Sequence, residues 1–264
     1  MKPPMEAGLV TPRPIVIEFV GLPGAGKTSA AKEIIEQMRL QGYACADRKS
    51  IQRGNSGRAM HYARLAVFNL RHCQTVSTIL CLGLAVRPFA LSRARFAMEL
   101  PVWSYRLKLA QDRGDDLLIL DQGILQDAWS VMIRGELRSE TALSRALGSL
   151  LLGTKLRFAF VYFDVDIDVA VERTSNRPAT TCRFDRMNSQ SAKRLLTAHR
   201  KHLETIFDQA LQVTHAPSCR VDSSRTLGEV CKDVADFIGS VAPSPDWARR
   251  PAWAPSRLLS AGET

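Results

Sequence analysis

The sequence predicts an α/β domain in which a five-stranded, doubly wound parallel sheet carries helices on both faces. Short and nearly continuous apolar runs recur along the chain, as expected for strands that are buried on both faces. Amphipathic helical segments separate these runs, which is the pattern of a parallel sheet. The chain has 264 residues, of which 45% are hydrophobic, so it can form one large domain with a full core and is not mostly disordered.

The strands and helices follow from the hydrophobic pattern, read in chain order. The first apolar run, IVIEFV, is followed by a glycine-rich turn and by a helix whose apolar residues share one face. The strands are predicted at 15–20, 43–46, 117–120, 156–163 and 219–221. The helices are predicted at 27–40, 58–111, 124–134, 139–152, 166–173, 190–211 and 227–238. The 58–111 segment is a helical insertion between the second and third strands, with breaks expected at Pro88 and Pro101.

The two ends of the chain differ from this central region. Residues 1–14 contain four prolines and predict a flexible lead, and residues 241–264 contain four prolines and predict a loose tail. The folded domain is therefore expected at 15–240.

The turn after the first strand matches the pattern G-x-x-x-x-G-K-[ST], known as a P-loop or Walker A motif. Such a loop points backbone N–H groups at a phosphate, and the following helix N-terminus adds partial positive charge. Lys27 is expected to reach the β- and γ-phosphates of ATP, and the Thr28 hydroxyl to bind Mg²⁺. The predicted nucleotide-binding residues here are Gly21, Pro23, Gly24, Ala25, Gly26, Lys27, Thr28 and Ser29.

A carboxylate follows the predicted third strand. The run LLILD places Asp121 at the carboxyl end of that strand, which is the ligand edge of a doubly wound sheet. An acid there can hold Mg²⁺ as a Walker B residue, so Thr28 and Asp121 form the predicted metal site. The alternative for Asp121 is a helix or turn cap.

Arginines cluster at the end of the 166–173 helix and in the polar loop that follows, at Arg173, Arg177, Arg183 and Arg186. Arginines that close over a transferring phosphoryl group stabilise its charge and exclude water, so an Arg-rich loop is typical of a kinase lid. Arg177 and Arg183 are the favoured catalytic candidates because of their place in the loop. The alternative is a solvated surface loop.

The chain resembles the nucleoside and nucleoside-monophosphate kinase group of P-loop NTPases, closest to thymidylate kinase-like members. Four segments carry the resemblance: IEFVGLPGAGKTS, LLILDQG, VYFDVDIDVAVERTSNRP with RFDRMN, and CRVDSSRTLGEV. The resemblance implies a five-stranded core, ATP and Mg²⁺ as co-substrates, and transfer of the γ-phosphoryl group to a nucleoside or nucleoside monophosphate. It also implies that Arg173 contacts ATP and that the loop in the last segment borders the adenine.

The sequence departs from this group at the acceptor side. Members of the group often have an arginine directly after the third-strand acid, whereas Gln122 and Gly123 follow Asp121 here. Asp47 and Arg48 stand at the end of the second strand, where the group places acceptor-side or catalytic residues. Asp47 is a candidate for the base that accepts a hydroxyl proton, and its alternative is a turn residue.

The net charge of +10 lies in one region. Between Arg48 and Arg113 there are twelve basic residues and two acidic ones, and the rest of the chain is balanced with 24 of each sign. Because this region is the insertion beside the expected acceptor site, an anionic acceptor is the leading explanation. Solvated helices, a membrane surface, and a nucleotide-binding regulator or nucleic-acid-binding ATPase that uses residues 48–113 are the alternatives.

The cysteines and the apolar runs indicate in which cellular compartment the protein is expected. None of the six cysteines forms a C-x-x-C pair, so they are expected to be reduced thiols, and no zinc site is expected. The N-terminus lacks the apolar core of a signal peptide, and the run from Thr75 to Val86 is shorter than the roughly 20 residues that span a bilayer. These observations predict a cytoplasmic protein with no membrane span. Its expected partners, from the P-loop and the resemblance, are ATP and an anionic or hydroxyl-bearing small-molecule acceptor rather than nucleic acid, and a homodimer is left open.

Overall fold

The computed structural model of the chain describes residues 14–52, 86–87, 91–133, 136–137, 139–154, 156–177, 184, 187–243 and 245. Its centre is a sheet of five parallel strands: β1 (Ile15–Gly21), β2 (Cys45–Asp47), β4 (Leu117–Leu120), β6 (Arg157–Asp164) and β7 (Ser218–Asp222). Across the sheet, their order is β2-β4-β1-β6-β7. This arrangement confirms the predicted doubly wound α/β fold with five parallel strands.

Strand β1 is the middle of the sheet. It pairs with β4 from Ile15↔Leu117 onward and with β6 from Ile15↔Arg157 onward. All seven of its residues are buried. Because successive side chains of a strand point to opposite faces, burial of every residue means that both faces of the sheet are covered.

The helices that cover the sheet fall into two groups. They are α1 (Lys27–Leu40), α2 (Arg48–Gln52), α3 (Leu91–Arg113), α4 (Ile124–Met132), α5 (Glu140–Gly153), α6 (Ile167–Ser175), α7 (Ser189–Thr214) and α8 (Leu227–Val241). Helices α1 and α8 pack together and form the first group. In the second group, α4 packs against α3 and α7, and α7 also contacts α5 and α6. Within the described residues, every predicted helix is present, with ends that differ by a few residues.

Three features of the structure differ from the prediction. The five-residue helix α2 was not predicted, because so short a segment shows no helical period. Helix α3 is continuous through Pro101, so the break expected there is wrong. A proline removes only one hydrogen bond from a helix, and the buried residues Trp103, Leu107 and Ala110 supply the packing that holds the next turns in place. A short antiparallel pair, β3 (Val86–Arg87) with β5 (Glu136–Leu137), was not predicted, because two-residue strands carry no periodic signal.

Several predictions fall on residues outside this description. They concern the helices expected between 58 and 85, the break at Pro88, the lead at residues 1–13 and most of the tail after residue 243. In the part of the chain that the structure does describe, none of the helices combines the length and the apolar character needed to cross a membrane.

Candidate active site

The loop between β1 and α1 has a backbone that requires glycine. Gly24 has φ of +89° and Gly26 has φ of +80°, a region that residues with a side chain rarely adopt. At Gly24 a Cβ atom would also lie 2.3 Å from the carbonyl oxygen of Ala170 in α6, so a larger residue would displace the loop or the helix. The tight turn and the close approach to α6 together fix the path of the loop.

Lys27 is the first residue of α1 and is buried, with 7% of its surface exposed. Its Nζ donates hydrogen bonds to the carbonyl oxygens of Gly21 at 2.7 Å and Leu22 at 2.9 Å. The ammonium group is therefore held at the loop, next to the N-terminus of a 14-residue helix. A cation and a helix N-terminus at one point form a binding site for a phosphate chain.

Thr28 and Asp121 meet although they are 93 positions apart in the sequence. The Thr28 hydroxyl donates a hydrogen bond of 2.8 Å to Asp121 Oδ2, which joins the first turn of α1 to the end of β4. A hydroxyl and a carboxylate are oxygen ligands of the kind Mg²⁺ prefers, and Mg²⁺ usually takes one or two carboxylates together with phosphates and water. Within the described residues there is no cluster of three or more His, Cys, Asp or Glu side chains that could hold a metal by itself. The donor set therefore fits a magnesium ion that is shared with a bound nucleotide.

The loop opens into the main cavity, whose volume is about 430 Å³. Arg177, two residues after the end of α6, lines this cavity together with the P-loop, Thr28 and Asp121. The other lining residues come from the start of α2, from the segment after β4 with helix α4, and from Phe184. We call them the acceptor wall, after the expectation from the sequence: Arg48, Gln122, Gln126, Asp127, Trp129, Ser130, Ile133 and Phe184.

The side chains behind the acceptor wall are fixed by hydrogen bonds and ring contacts. Trp129 stacks on Phe184, with ring centroids 6.2 Å apart and planes 11° apart, and its Nε1 donates to the carbonyl oxygen of His199 at 2.9 Å. Trp103 is fully buried in α3, and its Nε1 donates to Asp127 Oδ2 at 2.7 Å. Buried tryptophans that use their N–H in this way have one orientation, so the wall is preformed.

Glu18 is a buried carboxyl group that the sequence analysis did not single out. It lies in the middle of β1 with no exposed surface, and its Oε1 accepts hydrogen bonds from the N–H groups of Leu125 at 2.7 Å and Gln126 at 3.3 Å. The side chain thus caps the N-terminus of α4, and a Cβ at Gly123 would lie only 2.5 Å from its Cδ. The one signal in the sequence was an acid inside an otherwise apolar strand.

Burial controls the protonation of Glu18. Its pKa is raised to about 8, mainly because burial removes the carboxylate from water and to a lesser extent because of the negative charge of Asp127, although the N–H groups of α4 act in the opposite direction. The carboxyl group is therefore largely protonated at neutral pH. It connects the strand that leads into the P-loop with the helix that forms the acceptor wall.

Arg173 lines a second cavity of about 240 Å³, which shares Ala25 and Gly26 of the P-loop with the main cavity. Its Nη1 donates to the carbonyl oxygen of Ser223 at 2.8 Å. The cavity is lined by Ala25, Gly26, Ser29, Ala30, Phe163, Arg173, Ser223, Arg225, Leu227 and Val230. The predicted residues Ser29 and Arg173 thus adjoin the loop that follows β7.

Asp47 stands at the end of β2, as predicted, but its carboxylate is engaged locally. Its Oδ1 accepts the N–H of Ser50 at 2.6 Å, and its own N–H donates to Ser50 Oγ at 3.0 Å, so it caps α2. Asp47 is absent from the described lining of the main cavity. Its role as a base stays a prediction, and Arg183 and Arg186 lie outside the described residues.

No protein-family model matches this chain, and no curated protein matches it. Among solved structures, a deoxyadenosine kinase from M. mycoides with bound dATP is similar, with a TM-score of 0.47 and 16% identity over 84% of this chain and 98% of that chain. An uncharacterized protein from Eubacterium ventriosum is similar with a TM-score of 0.42 and 11% identity over 87% of this chain and 99% of that chain. Both TM-scores are below 0.5, so the functional argument rests on the residues of the site.

Proposed function

We propose that the protein is an ATP-dependent kinase that transfers the γ-phosphoryl group to a small-molecule acceptor, a nucleoside or a nucleoside monophosphate. The observation that carries the proposal is the contact between Thr28 and Asp121 at the mouth of a P-loop, beside a cavity with room for a second substrate. This juxtaposition is what phosphoryl transfer needs, because that reaction depends on positioning and on charge stabilisation more than on covalent chemistry.

The phosphates of ATP are bound by the N–H groups of the loop and by Lys27. Thr28 and Asp121 would hold Mg²⁺, which when bound neutralises charge on the β- and γ-phosphates. Arg177, which lines the main cavity, and the predicted lid residue Arg183 would stabilise the equatorial oxygens of the transferring group and limit the access of water. An acceptor oxygen forms a bond to the γ-phosphorus while the bond to the β–γ bridging oxygen breaks, and ADP leaves with the bonding electron pair. Where the acceptor is a hydroxyl, its proton passes to a base, for which Asp47 is the predicted candidate.

The second cavity is the proposed site of the adenine base. Arg173, Ser223 and Arg225 line it, and none of the acceptor-wall residues does. The guanidinium of Arg225 is fixed by Asp233 at 2.5 Å, which gives the cavity one ordered rim. With adenine there, the phosphate chain of ATP runs along the P-loop toward Asp121, and the acceptor occupies the main cavity.

A reducing compartment is consistent with the thiols. Cys219 and Cys231 are free, and burial raises the pKa of both, that of Cys219 to about 12. Such thiols are poor nucleophiles and slow to form disulfides. We infer that the protein works in the cytoplasm, where ATP is also available.

The test is a screen of phosphoryl acceptors with Mg²⁺ and ATP, followed by mass spectrometry of the products. We expect transfer to one class in a panel of nucleosides, nucleoside monophosphates and sugars. If the protein binds ATP but phosphorylates none of them, it is a nucleotide-binding regulator instead. Salt-dependent binding to DNA or RNA through the 48–113 region would favour the nucleic-acid-binding ATPase.

A further inference from the structure

Helix α4 begins without a capping side chain of its own. Its N-cap is Gly123, which has no side chain to accept the free N–H groups of the first turn. Glu18 supplies the acceptor instead, because its Oε1 accepts the N–H of Leu125 at 2.7 Å and that of Gln126 at 3.3 Å. The cap of α4 therefore comes from β1, 107 positions before Leu125 in the chain.

Gly123 and Glu18 fit each other closely. A Cβ at position 123 would lie 2.5 Å from Glu18 Cδ and 2.8 Å from each of its carboxyl oxygens. The φ of Gly123 is −129°, which lies outside the left-handed region that favours glycine. The close approach of the carboxyl group is therefore what requires a glycine here. The segment between β4 and α4 follows its path because no side chain separates it from Glu18.

Helix α4 carries most of the acceptor wall. Eight of its nine residues are buried, so the helix is packed on nearly all sides. The N–H groups that Glu18 accepts lie in the first turn, and a shift of that turn would move the wall relative to Asp121. Phosphoryl transfer is sensitive to such a shift, because it depends on placing two substrates in one geometry. The helix residues that line the cavity are Gln126, Asp127, Trp129 and Ser130.

The carboxyl group caps the helix as a neutral acid. Glu18 has no exposed surface, and burial raises its pKa to about 8. Because Oε1 is occupied by two N–H donors, the proton lies on Oε2. That oxygen is buried and has no hydrogen-bond partner among the described residues. Ionisation would leave a negative charge there without a compensating donor.

The elements around Glu18 bring several charged or titratable groups. Helix α4 brings Asp127, whose negative charge opposes the ionisation of Glu18. Strand β6 brings Tyr162, whose pKa is raised to about 12 by burial, so the phenol stays neutral over the range in which Glu18 titrates. The other groups are Arg106 on α3, His199 on α7 and Asp121 after β4. A second negative charge beside Asp127 would strain the first turn of α4.

We propose that Glu18 is a positioning residue for the acceptor side of the reaction, which holds the first turn of α4 and its cavity-lining residues in place relative to Asp121. It acts in its protonated form. Although Glu18 lies in the strand that leads into the P-loop, it affects the use of the acceptor and not that of ATP. The proposal rests on the kinase function proposed above.

The experiment compares Glu18→Met with Glu18→Gln. Methionine has a similar volume but offers no oxygen to the two N–H groups, whereas glutamine keeps an oxygen and is neutral at every pH. With the nucleosides and monophosphates that give turnover, Glu18→Met is expected to lower kcat/KM for the acceptor roughly 10- to 100-fold. The KM for ATP should stay within about twofold of the wild type. Glu18→Gln should match the wild type at neutral pH.

Two results of this comparison overturn the proposal. One is an equal loss with ATP and with the acceptor, because Glu18 would then serve the whole site. The other is a Glu18→Gln variant that is as impaired as Glu18→Met, because the acceptor oxygen would then not matter.

The pH profile tests the protonated form. Above a pH of about 8 the wild-type carboxyl group ionises, so kcat/KM for the acceptor should fall relative to that of Glu18→Gln. The ratio of the two proteins between pH 6 and 9 isolates Glu18, because ionisation of the substrates affects both alike. A ratio that does not change with pH contradicts a neutral Glu18.

The matched control is Ser139→Ala, which removes the N-cap of another helix. Ser139 Oγ accepts the N–H of Ala142 at 3.2 Å at the start of α5, and no residue of α5 lines either described cavity. This variant should lose stability but keep the wild-type kinetics and pH profile. If it impairs the acceptor as much as Glu18→Met does, the effect comes from lost stability and the proposal falls.

A measurement without turnover separates failure of this proposal from failure of the kinase function. With Trp247 and Trp253 replaced by phenylalanine, the fluorescence comes from Trp103 and Trp129 beside the acceptor wall. The emission should change between pH 7 and 9 when Glu18 is present and stay constant in Glu18→Gln. If it does so but no acceptor is phosphorylated, the positioning role stands and the kinase function falls. If the emission is the same in both proteins at every pH, the positioning role is wrong, whatever the activity.

Discussion

The two walls of the main cavity are built in different ways. The phosphate side comes from one continuous segment, residues 21–28, and is stabilised by backbone groups and by glycine conformations. The acceptor wall comes from α2, from the segment after β4 and from the region of Phe184, and side-chain contacts to α3 and α7 hold it in place. Local backbone geometry tolerates few changes, whereas a wall of side chains from several elements can be altered one contact at a time. We therefore expect changes on the phosphate side to abolish function and changes on the acceptor wall to alter selectivity.

The largest effect is expected for Lys27→Ala, which removes the cation of the phosphate side. Phosphoryl transfer should fall by about a hundredfold or more, as is typical when one preorganised electrostatic contact to the transferring group is lost. Initial rates with saturating ATP measure this change, and circular dichroism should show an intact fold. Lys32→Ala, on the exposed face of the same helix, is the control. Equal activity of the two variants would contradict the role of Lys27.

Gly24→Ala tests whether the backbone of the loop is the sensitive part. The new Cβ would lie 2.3 Å from the Ala170 carbonyl oxygen at φ of +89°, so we expect loss of nucleotide binding and about 1–2 kcal/mol of lost stability. Gly228→Ala is the control, because a Cβ there meets nothing within 4 Å. Calorimetry with an ATP analogue and thermal unfolding measure the two effects. Normal nucleotide binding by Gly24→Ala would show that the loop can adjust.

Glu18→Gln tests the buried carboxyl group that joins β1, which leads into the P-loop, to α4 of the acceptor wall. The quantity measured is the change in the free energy of unfolding with pH. In the folded protein Glu18 holds its proton up to a pKa of about 8, whereas the ordinary pKa of a glutamate side chain, as in the unfolded chain, is 4.5. Between these values the native state holds more protons than the unfolded state, so this group makes stability fall as pH rises, by at most about 1.4 kcal/mol per pH unit. Urea unfolding at several pH values should show a flatter profile in the variant between pH 5 and 8. An unchanged slope would mean that Glu18 is ionised in the folded protein.

The smallest functional effect is expected for Trp103→Phe, which keeps an aromatic ring but removes the hydrogen bond to Asp127 and part of the buried indole volume. We expect about 1–3 kcal/mol of lost stability and a several-fold higher KM for the acceptor, with unchanged affinity for the ATP analogue. Steady-state kinetics in which ATP and the acceptor are varied in turn give the KM for each substrate, and thermal unfolding gives the loss of stability. An equal effect on ATP and acceptor would show that the walls are not independent.

The sequence predicted those parts of the site that depend on local pattern. The P-loop with its flanking strand and helix was predicted at its observed position, because glycine spacing and apolar periodicity act over a few residues. The five parallel strands were predicted for the same reason. The continuation of α3 through Pro101 was not, because packing of the residues after Pro101 outweighs the local preference of proline to end a helix.

The sequence by itself determined the fold class, the phosphate loop and the acid at the end of β4. Only the tertiary structure decided that Thr28 meets Asp121, that Glu18 caps α4, and that Arg48 rests on Gln122 and Trp103. These contacts join residues from 55 to 107 positions apart. Periodicity specifies which side of an element is buried, but the partners of a buried or charged side chain depend on the order of strands in the sheet, and no local pattern encodes that order.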